Sequence, residues 1–238
     1  MASQPIYQFY AELEGYRPKI WRRFQVQGSC TIARLGYIVM TLYEMKASHL
    51  LAIEHTYTLH FPDDAFEEIT HRYVIPDEEG EWEDKGDADA TRYKLTQTSI
   101  NVNSHVIIKN SRVTVLYDFG DGWEVNLKLE KVFNDPDLPG KELPRVLEGG
   151  GFGIIEDCGG PGGLEELAAA FKAKQGKEYE NFCEWLGVDE LDLERFDLDD
   201  MNFRLKKLPR IFADIYENFN YPTQRSIDLI ERKYLRKS

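Results

Sequence analysis

The chain has 238 residues, 42% of them hydrophobic and 30% charged, and a formal net charge of −13. A chain this long hides roughly 70–75% of the surface its unfolded form exposes, so its core needs no disulfide or metal to hold it. Its acidic surface repels phosphate backbones and anionic lipid. That argues against nucleic acid or a membrane as partner and leaves a basic protein or a cation as the expected company.

Residues 6–14 alternate aromatic or apolar with other side chains, as a strand does. A turn at Gly15, Arg17 and Pro18 leads to a second predicted strand over 19–27, with Ile20 and Arg22 on one face and Trp21, Arg23 and Gln25 on the other. Thr31 suits the N-cap of a helix over roughly 32–45, where Ile32, Leu35, Val39 and Leu42 form one apolar face. The segment 48–61, opening on Ser48-His49-Leu50-Leu51, reads as a strand. Residues 77–89 hold eight acids against the single base Lys85 and have too few apolar groups to anchor a core, so a solvated acidic loop is expected there. β character resumes over 94–117, and 112–117 and 123–133 alternate as a hairpin about Gly120-Asp121-Gly122. From 134 to 163, prolines and glycines predict loop; helices are expected over 164–174, near 178–186, and two or three times in 189–236.

Strands clustered before helices argue for an α+β fold. The expected architecture is a mostly antiparallel or mixed sheet, with a helix after the first two strands and a helical C-terminal region. One domain is expected over 1–206, with a helical extension over 207–238. Three scattered cysteines (Cys30, Cys158 and Cys183) with no Cys-x-x-Cys pair exclude a finger-type zinc site and suit a reducing, cytoplasmic setting. The first residues have no basic-then-apolar pattern, and no apolar stretch approaches 18 residues, so neither a signal peptide nor a membrane span is expected.

Two loops could carry chemistry. Tyr117-Asp118-Phe119-Gly120-Asp121-Gly122-Trp123-Glu124 puts three carboxylates on a tight turn that could aim oxygens at a hard cation, although aspartates also cap such turns. The glycine-rich run 149–163 contains Glu156, Asp157 and Cys158, but it lacks the Gly-Lys-Ser/Thr of a phosphate loop and the dinucleotide fingerprint. Adjacent residues rarely converge on one metal, so His49 is the natural remote ligand. A metal shared by Asp118, Asp121, Glu156, Asp157 and His49 would need these groups within about 5 Å of one another, given ligand bonds near 2.0–2.6 Å. Arg17, Lys19, Trp21, Arg22 and Arg23 could bind phosphates and stack a base only from one shared, exposed face.

Four motifs together resemble the plasmid pRiA4b ORF-3 family. Pro18-Lys19-Ile20-Trp21-Arg22-Arg23 is similar to its Pro-x-Ile-Trp-Arg-Arg opening, and Ser48-His49-Leu50 to its Ser-His-Leu-His segment. Tyr117-Asp118-Phe119-Gly120-Asp121-x-Trp123 resembles its hairpin, and Glu156-Asp157-Cys158-Gly159-Gly160 its Glu-Asp-Cys-Gly-Gly loop. The resemblance spans roughly 5–205 and implies an α+β fold and a prokaryotic, often mobile-element or plasmid, setting, but no particular reaction. The motifs nominate Trp21, Arg22, Arg23, His49, Asp118, Asp121, Trp123, Glu156, Asp157 and Cys158 as a functional cluster, with no residue assigned as catalytic. The family's second histidine of Ser-His-Leu-His is Leu51 here, the histidine after the hairpin tryptophan is Val125, and the Pro-Pro before Glu-Asp-Cys is Ile154-Ile155. If those histidines were metal ligands, two would be missing. With no catalytic triad either, the favoured expectation is a non-enzymatic binding protein whose acidic surface docks on a basic protein partner, without a cofactor. The alternatives are a metal-dependent hydrolase-like enzyme using the hairpin and the Glu-Asp-Cys loop, and, behind it, a nucleic-acid-binding module.

Overall fold

The computed structural model describes residues 4–62, 66–75 and 111–234. Seven strands form one sheet in the order β4-β3-β5-β6-β1-β2-β7. They are β1 (Ile6–Leu13), β2 (Trp21–Gln27), β3 (Leu51–His60), β4 (Phe66–Ile75), β5 (Arg112–Tyr117), β6 (Trp123–Phe133) and β7 (Arg145–Gly150). Every neighbouring pair is antiparallel. Helix α1 (Ile32–Leu42) follows β2, and α2 (Gly160–Ala173), α3 (Lys177–Leu186), α4 (Leu198–Leu205), α5 (Leu208–Asn218) and α6 (Gln224–Ile230) close the chain. The fold is thus the expected α+β arrangement. No helix among the described residues is long and apolar enough to cross a membrane. The acidic segment 77–89 and the β character of 94–110 lie outside the described residues.

Alternation decides which face of the sheet is core. β6 runs buried and accessible in turn, with Trp123, Val125, Leu127 and Leu129 turned inward. On β2 the inward set is Arg22, Phe24 and Val26, with Trp21 and Arg23 opposite, as the spacing predicts. The helix α1 lies directly on β3: a Cβ added to Gly36 would stand 3.0 Å from Ile53 Cδ1 and 3.2 Å from Leu51 Cδ2. Thr31 caps this helix by accepting from the Arg34 amide, at 3.1 Å. The helix ends at Leu42, three residues earlier than expected, because Glu44 takes φ +65° and turns the chain out of the helix.

The C-terminal helices share this core. Leu205, Leu208 and Phe212 are fully buried, and Tyr37 of α1 stacks on Tyr216 of α5 with ring centroids 5.9 Å apart. A buried ion network ties them further. Arg204, 1% exposed, grips Glu44 at 2.6 and 2.5 Å, and Arg232 bridges Glu44 and Asp200, each at 2.7 Å.

Three elements depart from the sequence-based expectation. β7 falls in the stretch expected to be loop; it exists because it pairs with β2. β4, on the far side of β3, has no counterpart among the predicted elements; its first half is largely exposed and carries no alternation to read. The helix α2 begins at Gly160 rather than 164, since Gly159 at φ +89° and Pro161 in the first turn set its start.

Candidate metal centre

Three loops meet where β3 begins and β5 ends, because Leu51 pairs with Tyr117 and Tyr117 with Trp123. The loop between α1 and β3 joins the β5–β6 turn through the Asp118 amide, which donates to Leu50 O at 3.0 Å. The loop before α2 joins α1 through the Ile154 amide, which donates to Tyr43 O at 2.9 Å, and joins the turn through the Gly159 amide, which donates to Asp121 Oδ2 at 3.3 Å. Contact here is so close that a Cβ on Gly160 would fall 2.2 Å from Asp121 O, so only glycine fits. Ser48 and His49 therefore stand in a loop, not in the strand expected to open at 48.

Of the five residues expected to share a metal, the structure brings three together. Among the described residues, His49, Asp118 and Asp157 form one group whose ligand atoms all lie within 4.8 Å of one another. His49 Nε2 is 3.5 Å from Asp118 Oδ2 and 3.4 Å from Asp157 Oδ1, and it is buried without a hydrogen-bond partner. The set opens to solvent on one side, since the side chains are 28%, 13% and 70% exposed in that order. Both aspartates sit at positive φ, +51° and +62°, a region that aspartate tolerates better than most residues.

The other two expected ligands are spent elsewhere. Glu156 is buried, and its carboxylate accepts from Tyr117 Oη and Ser48 Oγ, both at 2.6 Å, and from the Lys46 amide at 2.5 Å. Asp121 stands on the Gly159 amide rather than in the cluster. Asp118 does both jobs: its Oδ1 accepts from the Gly120 and Asp121 amides at 3.1 and 3.3 Å, closing the turn, and its Oδ2 faces His49.

The remaining candidates serve the scaffold. Arg22 is fully buried and spends all five of its N–H groups on backbone carbonyls: Leu42, Trp21, Gly150, Gly151 and Phe152, at 2.7–3.0 Å. Burial pushes its guanidinium down to about 10, still charged at neutral pH. Trp21 stacks on Tyr10, and Arg23 pairs with Glu130 and Glu148. Arg17 and Lys19 both pair with Glu12. The single exposed basic face that nucleic-acid binding would need does not form, because Arg22 points into the core. Trp123 is fully buried. Cys158 is half-buried, and burial reinforced by Asp121 pushes its thiol up to about 12, so it is no ready nucleophile.

Sequence reasoning missed Ser48 and Tyr117, the partners of Glu156. The signal was in the motifs themselves, where each stands directly before a candidate ligand: Ser48-His49, Tyr117-Asp118. Leu51 and Val125, where the resemblance leads one to expect histidines, are fully buried on the core strands.

The chain is similar to known proteins over most of its length. The family model described as plasmid pRiA4b ORF-3-like protein matches residues 5–200. The uncharacterized protein y4hQ of Sinorhizobium fredii (strain NBRC 101917 / NGR234) is 29% identical over 190 residues, which cover 80% of this chain and 85% of that one. The crystal structure of MM3350, a protein of unknown function from Methanosarcina mazei Go1, superposes with a TM-score of 0.62 at 25% identity, covering 84% of this chain and 98% of that one.

Proposed function

The chain belongs to the plasmid pRiA4b ORF-3-like family, and from that premise we propose that it binds a divalent metal ion through His49, Asp118 and Asp157 and uses the ion for hydrolytic chemistry. The spacing of the three groups carries the reading. A charge-assisted N–H···O bond between an imidazolium and a carboxylate closes to about 2.7–2.9 Å. Here two carboxylates stop at 3.5 and 3.4 Å from one buried nitrogen that makes no hydrogen bond. Those two separations match the edges of a coordination shell: bonds near 2.0–2.1 Å in tetrahedral array put neighbouring ligand atoms about 3.3–3.4 Å apart.

One imidazole and two carboxylates suit a borderline first-row ion such as zinc or manganese better than magnesium or calcium, which favour all-oxygen shells. Three protein ligands leave a position open, and the exposed flank at Asp157 lets water and substrate reach it. Zinc held by these three residues would lower the pKa of its bound water to about 7 and so supply hydroxide at neutral pH.

The test is elemental analysis of the purified protein together with calorimetric titration of zinc and manganese. About one equivalent should bind wild type. His49→Ala and Asp157→Asn should each cost more than the about 10–100-fold that loss of an outer-shell partner costs, while Asp121→Asn stays close to wild type. Chelator-sensitive hydrolysis of ester and phosphoester probes should follow the same order. Wild-type affinity weaker than about 1 mM, worth only about −4 kcal/mol, would refute the centre and return the acidic surface and a basic protein partner to the front.

A further inference from the structure

The three candidate ligands come from segments far apart in the chain, and each is preceded directly by a residue of one hydrogen-bonded group. Ser48, Tyr117 and Glu156 stand before His49, Asp118 and Asp157. These three preceding residues meet. Glu156 Oε1 accepts from Tyr117 Oη at 2.6 Å and from the Lys46 amide at 2.5 Å, and Glu156 Oε2 accepts from Ser48 Oγ at 2.6 Å. The Ser48 amide also donates to Tyr117 Oη, at 3.2 Å. Tyr117 is fully buried and Glu156 is 7% exposed.

We propose that Glu156 is the positioning residue of the metal centre: its buried carboxylate gathers the three loops on the inner side, so that the residue after each hub side chain presents its ligand atom on the outer side. The inference rests on the metal reading for its purpose but on the hub alone for its geometry. A carboxylate offers about four acceptor sites, and three are filled here, by donors 110, 108 and 39 residues away. Ser48 and Tyr117 also bond each other, and Glu156 ties the third loop to both. Tyr117 adds a wall, its ring meeting the His49 imidazole edge-on at 5.7 Å and 85°. Through this packing the hub constrains the ring's orientation as well as its place.

The experiment uses the full chain with cobalt(II) as probe, whose visible absorption reports ligand geometry directly. The variants are Glu156→Ala and Glu156→Gln, with Ser48→Ala and Tyr117→Phe each removing one arm. Glu156→Ala should weaken cobalt binding by about 10–100-fold and alter the visible band. Glu156→Gln, which keeps one acceptor oxygen and can accept from one hydroxyl, should recover part of the loss. Ser48→Ala and Tyr117→Phe should fall between, and they carry the test if Glu156→Ala does not fold. Crystal structures of wild type and the folded variants give the readout that needs no metal. The hub is supported if His49 Nε2 separates from Asp118 and Asp157 when an arm is removed. Unchanged separations, or cobalt affinity within twofold of wild type with the same band in every folded variant, overturn it. A wild type that takes up no cobalt, zinc or manganese sinks the metal reading, and the crystal structures then still decide the hub.

Discussion

Replacing Arg22 by lysine tests whether the basic motif that opens the family signature is scaffold. All five guanidinium N–H groups are engaged, and an ammonium has three donors. At least two carbonyls among Leu42, Trp21, Gly150, Gly151 and Phe152 must then go unmet. Each orphaned buried acceptor costs about 1–3 kcal/mol, and partial access to water at the part-buried ones trims the sum, so the loss should be about 2–4 kcal/mol. The stacking of the guanidinium over Phe196, at 4.2 Å, is lost as well. Against a typical stability of about 5–15 kcal/mol the variant should fold but be weakened. With a urea slope of about 2–3 kcal/mol/M for a chain of this size, the unfolding midpoint should drop by about 1–1.5 M. Because three of the carbonyls lie just before the loop that bears Glu156 and Asp157, metal affinity should fall too. A midpoint within about 0.3 M of wild type would show that the carbonyl cluster is not held by this side chain, and the argument would fail.

Two further outcomes follow from buried charge. Glu44→Gln removes the partner of Arg204, which is 1% exposed, and should cost about 3–5 kcal/mol in urea unfolding; Glu44→Gln with Arg204→Met should recover part of it, and a double variant no better than the single one would argue against the ion pair. His55 is 1% exposed, with neither ring nitrogen hydrogen-bonded, and burial, then the charge of neighbouring His71, pushes it down to about 4. Its folded pKa lies below the ordinary value near 6.5, so the unfolded chain binds the extra proton between those limits. The stability is complete above pH 6.5 and is lost as pH falls toward 4, by up to about 3 kcal/mol. His55→Leu should flatten the unfolding midpoint across that window, and an equally steep profile in the variant would contradict the assignment.

The strands and helices with strong periodicity were readable from the sequence: the alternation of 123–133 and the apolar face of α1 are each imposed by burial of one side. β7 was not, because its residues, Arg-Val-Leu-Glu-Gly-Gly, carry no pattern of their own. It is held as a strand by its neighbour β2 and by the Arg22 bonds to Gly150 and the loop that follows. The metal candidates were half readable. Carboxylates on a tight turn and an acidic pair in a glycine loop are visible as chemistry, and His49 follows as the remote partner. Which of two adjacent acids faces outward is a matter of backbone direction. The positive φ of Asp157 turns it away from the buried Glu156, and no residue type announces that.

The same distinction removes the objection raised by the absent histidines. Leu51 and Val125 occupy core strands, opposite Tyr117 and Val115 in the sheet register. Both are fully buried on strands, whereas the three candidate ligands stand in loops. A histidine at either place would enter the buried strands that carry Tyr117 and Trp123. The proposed metal centre therefore turns on the hub and the three candidate ligands.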